Sequence, residues 1–290
     1  MKIGVSFLRA HPRTWLDVAV AAEELGYESV WISDHLALPV EQVSRYPGAD
    51  NPDSPGRTIG PQGPSGATFP LFDAPAYLAA IAARTSRIRL GTYVYLLGLR
   101  HPLITARAFQ TVDAISRGRV ELGVGSGWLR EEWRAAGMDW ATRGPALDEA
   151  IEVCRRLWSE PTVEHRGATW SFDPIYFEPK PVQPGGPPVL VGGESAPALR
   201  RAARLGDGWI ALEHTPESVR APLERLRAAL DAADRPHSQV PVTVAAVVET
   251  PDDLRHWEKL GVDRLIVSPW DRSRDSIAGM TALAECLGLS

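Results

Sequence analysis

Short β-rich runs alternate with longer helical stretches along nearly the whole chain, and this alternation constrains the fold more than any other feature. The strand-like runs fall at 2–7, 29–33, 89–96, 119–126, 188–192, 208–212, 241–248 and 264–268. Helical stretches lie between them, near 14–25, 75–85, 103–116, 143–158, 196–205, 216–233, 251–260 and 273–287. Parallel neighbours need a crossover, which a helix supplies, so the pattern predicts a parallel sheet with helices outside it. Most runs are continuously apolar, as expected for strands covered on both faces. An open, doubly wound sheet is the alternative. Eight strand–helix units with no dividing linker favour closure into a (β/α)8 TIM barrel, a single domain over 1–290, since such barrels use about 250 residues.

Local signals agree with these boundaries. Thr14 is placed to cap the first helix and Gly26 to end it, while Gly206 and Gly261 end later ones. Pro75, Pro216 and Pro251 stand at first-turn positions, where a missing N–H costs nothing. Two segments exceed ordinary loop length. The first, 36–74, is crowded with Pro and Gly and follows strand two on the side where barrels carry function, so it reads as a lid. The second, 160–187, contains VEHRGATWSF, a small hairpin turning at Arg166–Gly167 inserted before strand five. No internal repeat or low-complexity tract is present.

Composition narrows the class of function. A net charge of −5 argues against nucleic acid as a partner, which calls for a basic face. Cys154 and Cys286 form no ligand cluster, so neither a disulfide framework nor a metal site is expected. No run approaches the ~18 apolar residues a membrane span needs, and Arg9 interrupts the start before a signal-peptide core develops. A cytoplasmic protein acting on a small molecule is the expectation, with homo-oligomer formation left open.

Candidate chemistry collects at the carboxyl ends of the strands. Strand two ends in Asp34-His35, where an imidazole can exchange protons near neutrality beside a carboxylate. The plainer alternative is that Asp34 caps the turn and His35 packs. After strand three, Arg100 and His101 either reach an anion or form a solvated helix entrance. Strand four ends in GVGSGW, whose glycines admit a ligand close to the backbone. Trp128 occupies the last glycine position of a dinucleotide fingerprint, so a Rossmann reading is weak. At the end of strand five, Gly192, Gly193, Glu194 and Ser195 make a strand-to-helix turn. Exposed amides, the helix dipole and the Ser195 hydroxyl there would hold an anion, unless Ser195 is simply the N-cap. Glu194 opposes a phosphate unless its side chain turns away.

Three stretches together resemble the luciferase-like flavin and deazaflavin oxidoreductase superfamily: GYESVWISDH, RIRLGTYVYLLGLRHPLITARAFQTVDAISRGRVELGVGSGWLREEW and VLVGGESAPALRRAARLGDGW. The resemblance runs from Lys2 to about Pro269 and is most similar to the branch using coenzyme F-420, an 8-hydroxy-5-deazaflavin. It implies a ring lying across the strand ends, with Asp34 and His35 beside it and Ser126 and Gly127 in contact. Gly192, Gly193 and Ser195 would hold the phosphate. It also implies a bulge with a non-proline cis bond joining Tyr93 to Val94 behind the ring. Sugar-phosphate dehydrogenases of the family carry Glu where this chain has Trp128, which points to a flatter or more hydrophobic substrate. The expected function is hydride transfer between F-420 and an organic substrate, with His35 handling the proton. Trp128, Glu213, Trp270 and the 36–74 loop would shape the substrate site. An FMN-dependent monooxygenase and a non-catalytic flavin-binding protein are the alternatives.

Overall fold

The computed structural model describes residues 1–47 and 70–289. Its strands are β1 (Lys2–Ser6), β2 (Ser29–Ile32), β3 (Arg89–Thr92), β4 (Val120–Val124), β5 (Thr162–Arg166), β6 (Ser171–Tyr176), β7 (Val189–Gly192), β8 (Gly208–Glu213), β9 (Val242–Ala245) and β10 (Arg264–Val267). Eight of them close in the order β1-β10-β9-β8-β7-β4-β3-β2, every pair parallel. The fold is a (β/α)8 TIM barrel. The helices are α1 (Trp15–Glu24), α2 (Ala74–Arg84), α3 (Pro102–Ser116), α4 (Arg130–Ala135), α5 (Arg143–Ser159), α6 (Ala196–Leu205), α7 (Arg220–Ala232), α8 (Pro251–Lys259) and α9 (Ser276–Leu287). Strands β5 and β6 form the antiparallel hairpin before the fifth barrel strand. Its turn is wider than expected, closed by the Gly167 N–H on the Trp170 carbonyl. Of the long segment after β2, residues 48–69 lie outside the described residues, so the lid expectation concerns 36–47 and 70–73 only.

Where local signals misled, a competing contact explains it. Thr14 precedes α1 but does not cap it, because its hydroxyl donates to the His11 carbonyl of a preceding 3-10 turn. Pro216 stands four residues before α7, in a turn closed by Thr215 and Ser218. The expected strand 89–96 ends at Thr92, and the ladder returns only at the Tyr95–Val124 bridge; the Tyr93–Val94 bond between them is cis, as the resemblance implied. Helix α4, in the stretch REEWRA, was not foreseen.

Side chains fill the barrel in tiers. At the amino-terminal end Glu121 pairs with Arg264 and Arg89, and Arg264 also grips Glu28. Burial opposes ionisation of Glu121, but the two guanidiniums hold its carboxyl below the ordinary range. Above this tier Trp31 packs with Leu190, Ile210 and Ile266. The indole fits because its neighbours are glycines: a Cβ on Gly91 would lie 2.3 Å from the Trp31 ring. Tyr93 and Val94 pack on this cluster from above, so these two residues form the floor of whatever opens at the carboxyl-terminal end.

Candidate functional site

A cavity of about 590 Å³ opens at that end, and most of the expected site residues line it: Asp34 and His35 after β2, Tyr93 and Val94 after β3, 126–128 after β4 and 192–195 at the end of β7. Its floor needs glycine. A Cβ on Gly125 would come within 2.6 Å of Val94 Cγ2, and one on Gly192 within 2.8 Å of Val94 Cγ1. Val94 is thereby raised between two strand ends, while the Tyr93 hydroxyl donates to the Ala211 carbonyl at 3.1 Å.

Asp34 is committed to the scaffold. Its carboxylate accepts two hydrogen bonds from Arg100, each 2.8 Å, and one from the Leu96 N–H at 3.0 Å. Burial pushes its carboxyl up, against the pull of Arg100 and Leu96. Arg100 is neither an anion hook nor a solvated entrance; it lies over the Tyr95 ring at 4.2 Å and ties the segment after β3 to the end of β2. His101 caps α3, accepting the Leu103 N–H, and neither residue lines the cavity.

His35 takes its carboxylate from elsewhere. Its Nδ1 lies 2.9 Å from Oε2 of Glu132, which is 2% exposed on α4. The other oxygen of Glu132 accepts the N–H groups of Leu36, at 2.5 Å, and Ala37, at 3.3 Å. A carboxylate facing Nδ1 fixes the proton there and leaves Nε2 as the exchangeable nitrogen. The adjacent Glu131 accepts from the Val43 and Ser44 N–H groups and the Ser44 hydroxyl, which hold its carboxyl down to about 2. Two consecutive glutamates thus pin both ends of the 35–44 segment. Trp128 meets His35 edge-on at 6.1 Å and Tyr46 at 5.5 Å, making an aromatic wall.

The β7–α6 turn departs from expectation in detail. The Gly193 N–H is not available to an anion, because it donates to the Ile210 carbonyl at 3.1 Å. Gly193 is nonetheless required at φ +104°, which turns the chain into α6. Ser195 is the N-cap, accepting the Ala198 N–H. No acceptor among the described residues takes the N–H groups of Glu194, Ser195 or Ala196. Glu194 does turn away: its carboxylate accepts from His214 Nε2 at 2.7 Å and the Leu212 N–H at 2.8 Å. Burial resists its ionisation, but His214 and Leu212 hold the carboxyl below its ordinary range. Arg143 and Arg225 line the same cavity and add positive charge that the sequence reading missed.

Trp270 and Glu213 do not join this group. They line a second cavity, about 630 Å³, at the ends of β8, β9, β10 and β1. Tyr46 and Tyr93 border both spaces. Burial, with the charges of Glu194 and Glu213, pushes the Tyr46 hydroxyl up to about 12. Glu132 and Tyr46 also escaped the sequence reading. The signal for Glu132 was present in LREEW, paired acids on a helix directly after the glycine corner, but its partner His35 is 97 residues away.

Comparison with known proteins agrees with the barrel fold. A family model described as luciferase-like monooxygenase matches residues 1–266. An uncharacterized protein of Mycobacterium tuberculosis is 34% identical over 265 residues, 89% of this chain and 87% of its own. A protein of Amycolatopsis mediterranei named F420-dependent glucose-6-phosphate dehydrogenase is 33% identical over 203 residues, 69% of this chain but 53% of its own length. Among solved structures, an F420-dependent secondary alcohol dehydrogenase in complex with an F420-acetone adduct superposes with a TM-score of 0.76 at 18% identity, covering 99% of this chain and 98% of that one. The monooxygenase RslO1 from Streptomyces bottropensis superposes at 0.75 and 23% identity, with the same coverage. At these identities the two structures bear on the fold alone.

Proposed function

The chain belongs to the luciferase-like monooxygenase family, and on that premise we propose that it is an oxidoreductase dependent on coenzyme F-420. The observation that carries this reading is the pairing of apolar and cationic chemistry in the lining of one cavity. Its lining combines apolar and aromatic side chains, among them Val94, Leu96, Trp128 and Ile210, with His35, the α6 N-terminus, Arg143 and Arg225. An extended aromatic ring system with an anionic phosphate tail matches both kinds of lining. The amides of Glu194, Ser195 and Ala196, with the helix dipole, suit the phosphate. The relative named as F420-dependent supports the deazaflavin over FMN.

The deazaflavin, when bound, supplies a carbon that accepts or donates a hydride. The chain does the rest. Its amides and arginines hold the tail, which fixes the position of everything attached to it. Val94 supports one face of the slot, while Trp128 and Tyr46 keep water from the other side. Glu132 holds His35 with Nδ1 protonated, and His35 Nε2 takes the proton from a substrate hydroxyl, or returns it to a carbonyl oxygen. Glu132 stabilises the imidazolium formed in the first direction.

Side-by-side fluorescence titrations with F-420 and FMN test the reading. Saturable quenching with F-420 and none with FMN is expected. Binding of FMN alone, together with oxygen consumption on addition of reduced FMN, would replace it by a monooxygenase. Tight F-420 binding with no turnover over a broad panel of alcohols and ketones would leave a binding protein.

A further inference from the structure

The turn that offers amides to a phosphate also carries an acid. Glu194 lines the first cavity, so one residue brings to the same corner a carboxylate and an N–H that no acceptor among the described residues takes. The carboxylate is restrained but keeps its charge. Its hydrogen bonds from the Leu212 N–H and from His214 Nε2 both fall on one oxygen, Oε1. Burial resists the charge, but His214, the Leu212 N–H and Arg225 keep the group ionised. His214 is 7% exposed and held from two sides. Its backbone N–H donates to the Ala245 carbonyl at 2.9 Å, and its Nδ1 lies 2.9 Å from the Ser218 hydroxyl. That hydroxyl accepts the Thr215 N–H at 3.0 Å, so its own hydrogen is free to reach Nδ1, and the ring proton stays on Nε2, toward Glu194. The charge is felt across the cavity, where the Tyr46 hydroxyl is pushed up by burial and then by Glu194.

Phosphates differ in what they bring to such a corner. A phosphodiester carries one negative charge, whereas a phosphate monoester gains a second above a pKa of about 6. Repulsion from a fixed carboxylate is proportional to the charge of the ligand, so the monoester suffers it twice over. We propose that Glu194, positioned by His214, is a charge filter at the phosphate turn, which admits a phosphodiester and selects against a phosphate monoester. The proposal rests on the functional reading above, which seats the phosphate there, and it names the class of phosphate. F-420 joins its tail through a phosphodiester, with the tail's carboxylates further along, whereas FMN ends in a monoester. His214 is a positioning residue: it draws the carboxylate to the end of β8, so that an acid can stand in this turn and still leave the α6 amides to the ligand.

Equilibrium dialysis of wild type and Glu194→Gln against F-420, FMN and riboflavin tests the filter without turnover. Glutamine keeps an acceptor for Leu212 and His214 and removes only the charge. Riboflavin has the ring of FMN and no phosphate, so a mere change of shape at the site would move both alike. In Glu194→Gln the affinity for FMN should rise about tenfold, that for F-420 about threefold, as half the charge predicts, and that for riboflavin not at all. No gain for FMN, a gain for riboflavin as large as that for FMN, or equal gains for FMN and F-420 would each overturn the proposal. His214→Ala releases the carboxylate and should weaken F-420 binding several-fold, and Glu194→Gln in the same chain should recover most of the loss. An undiminished affinity in His214→Ala, or a loss that Glu194→Gln leaves in place, would overturn the positioning role. Wild-type binding separates the two readings. Absence of F-420 binding sinks the coenzyme assignment, whereas F-420 binding with no FMN gain in Glu194→Gln sinks the filter alone.

Discussion

His35 and Glu132 act as one unit at the scale of single residues, because the carboxylate sets which imidazole nitrogen can exchange a proton. Replacing His35 with Ala should slow turnover about 10²–10⁴-fold, the range of a lost general acid or base. Binding of F-420, measured by quenching, should change far less. Near-normal turnover in His35→Ala would return the side chain to packing. Glu132 separates structure from chemistry. Glu132→Ala strips the acceptor from Leu36, Ala37 and His35 and should cost roughly 1–3 kcal/mol in denaturant unfolding. Glu132→Gln keeps an acceptor, so most of that stability should remain. It removes the charge that stabilises the imidazolium, and turnover should still fall about tenfold or more. Equal turnover in wild type and Glu132→Gln would show that Glu132 only anchors the loop.

At the scale of elements, the turn from β7 into α6 joins a conformational demand to an electrostatic one. Gly193 sits at φ +104°, so Gly193→Val is strained there whatever space it finds, and its Cβ would lie 3.4 Å from Ala198. The strain should shift the Glu194, Ser195 and Ala196 amides. F-420 affinity should drop more than tenfold, while circular dichroism stays native and unfolding stability falls only by the roughly 1–3 kcal/mol that such a backbone conformation costs. An unaltered affinity would mean that these amides do not hold the phosphate. The same element shows how far sequence reading reaches. The strand, the turn and the N-cap Ser195 were legible because they depend on neighbours in the chain. The Gly193 amide, expected among the free donors, is taken by Ile210 of the adjoining strand, and the Glu194 side chain turns to His214 on the same neighbour. Strand-to-strand partners are set by the closed sheet and leave no local trace.

For the whole molecule, the tier of charge at the base of the barrel links pH to stability. Glu121 has a carboxyl held below its ordinary 4.5, so its contribution is present above that value and is lost as pH falls through the lower folded-state value. Glu121→Gln leaves buried Arg264 with only Glu28 and should cost about 3 kcal/mol near neutrality. The gap between wild type and variant in urea unfolding should narrow as pH drops below the ordinary carboxylate range. A gap constant down to pH 3, roughly a unit and a half below that range, would show that Glu121 is not ionised in the fold.

The order of elements, the parallel barrel and the hairpin insertion were determined by sequence alone, because apolar periodicity and helix signals are local properties of the chain. The side on which function collects followed from the fold. The motifs also marked the Asp-His pair and the glycine corners. Only the tertiary structure decided what those residues do. It bound Asp34 to Arg100, gave His35 to Glu132, and set Trp270 and Glu213 in an adjoining space that shares Leu8, Tyr46, Tyr93 and Leu212 with the first. The reason is geometric. Closing eight strands brings together side chains from distant parts of the sequence, and a polar group buried there takes whichever partner the closure delivers.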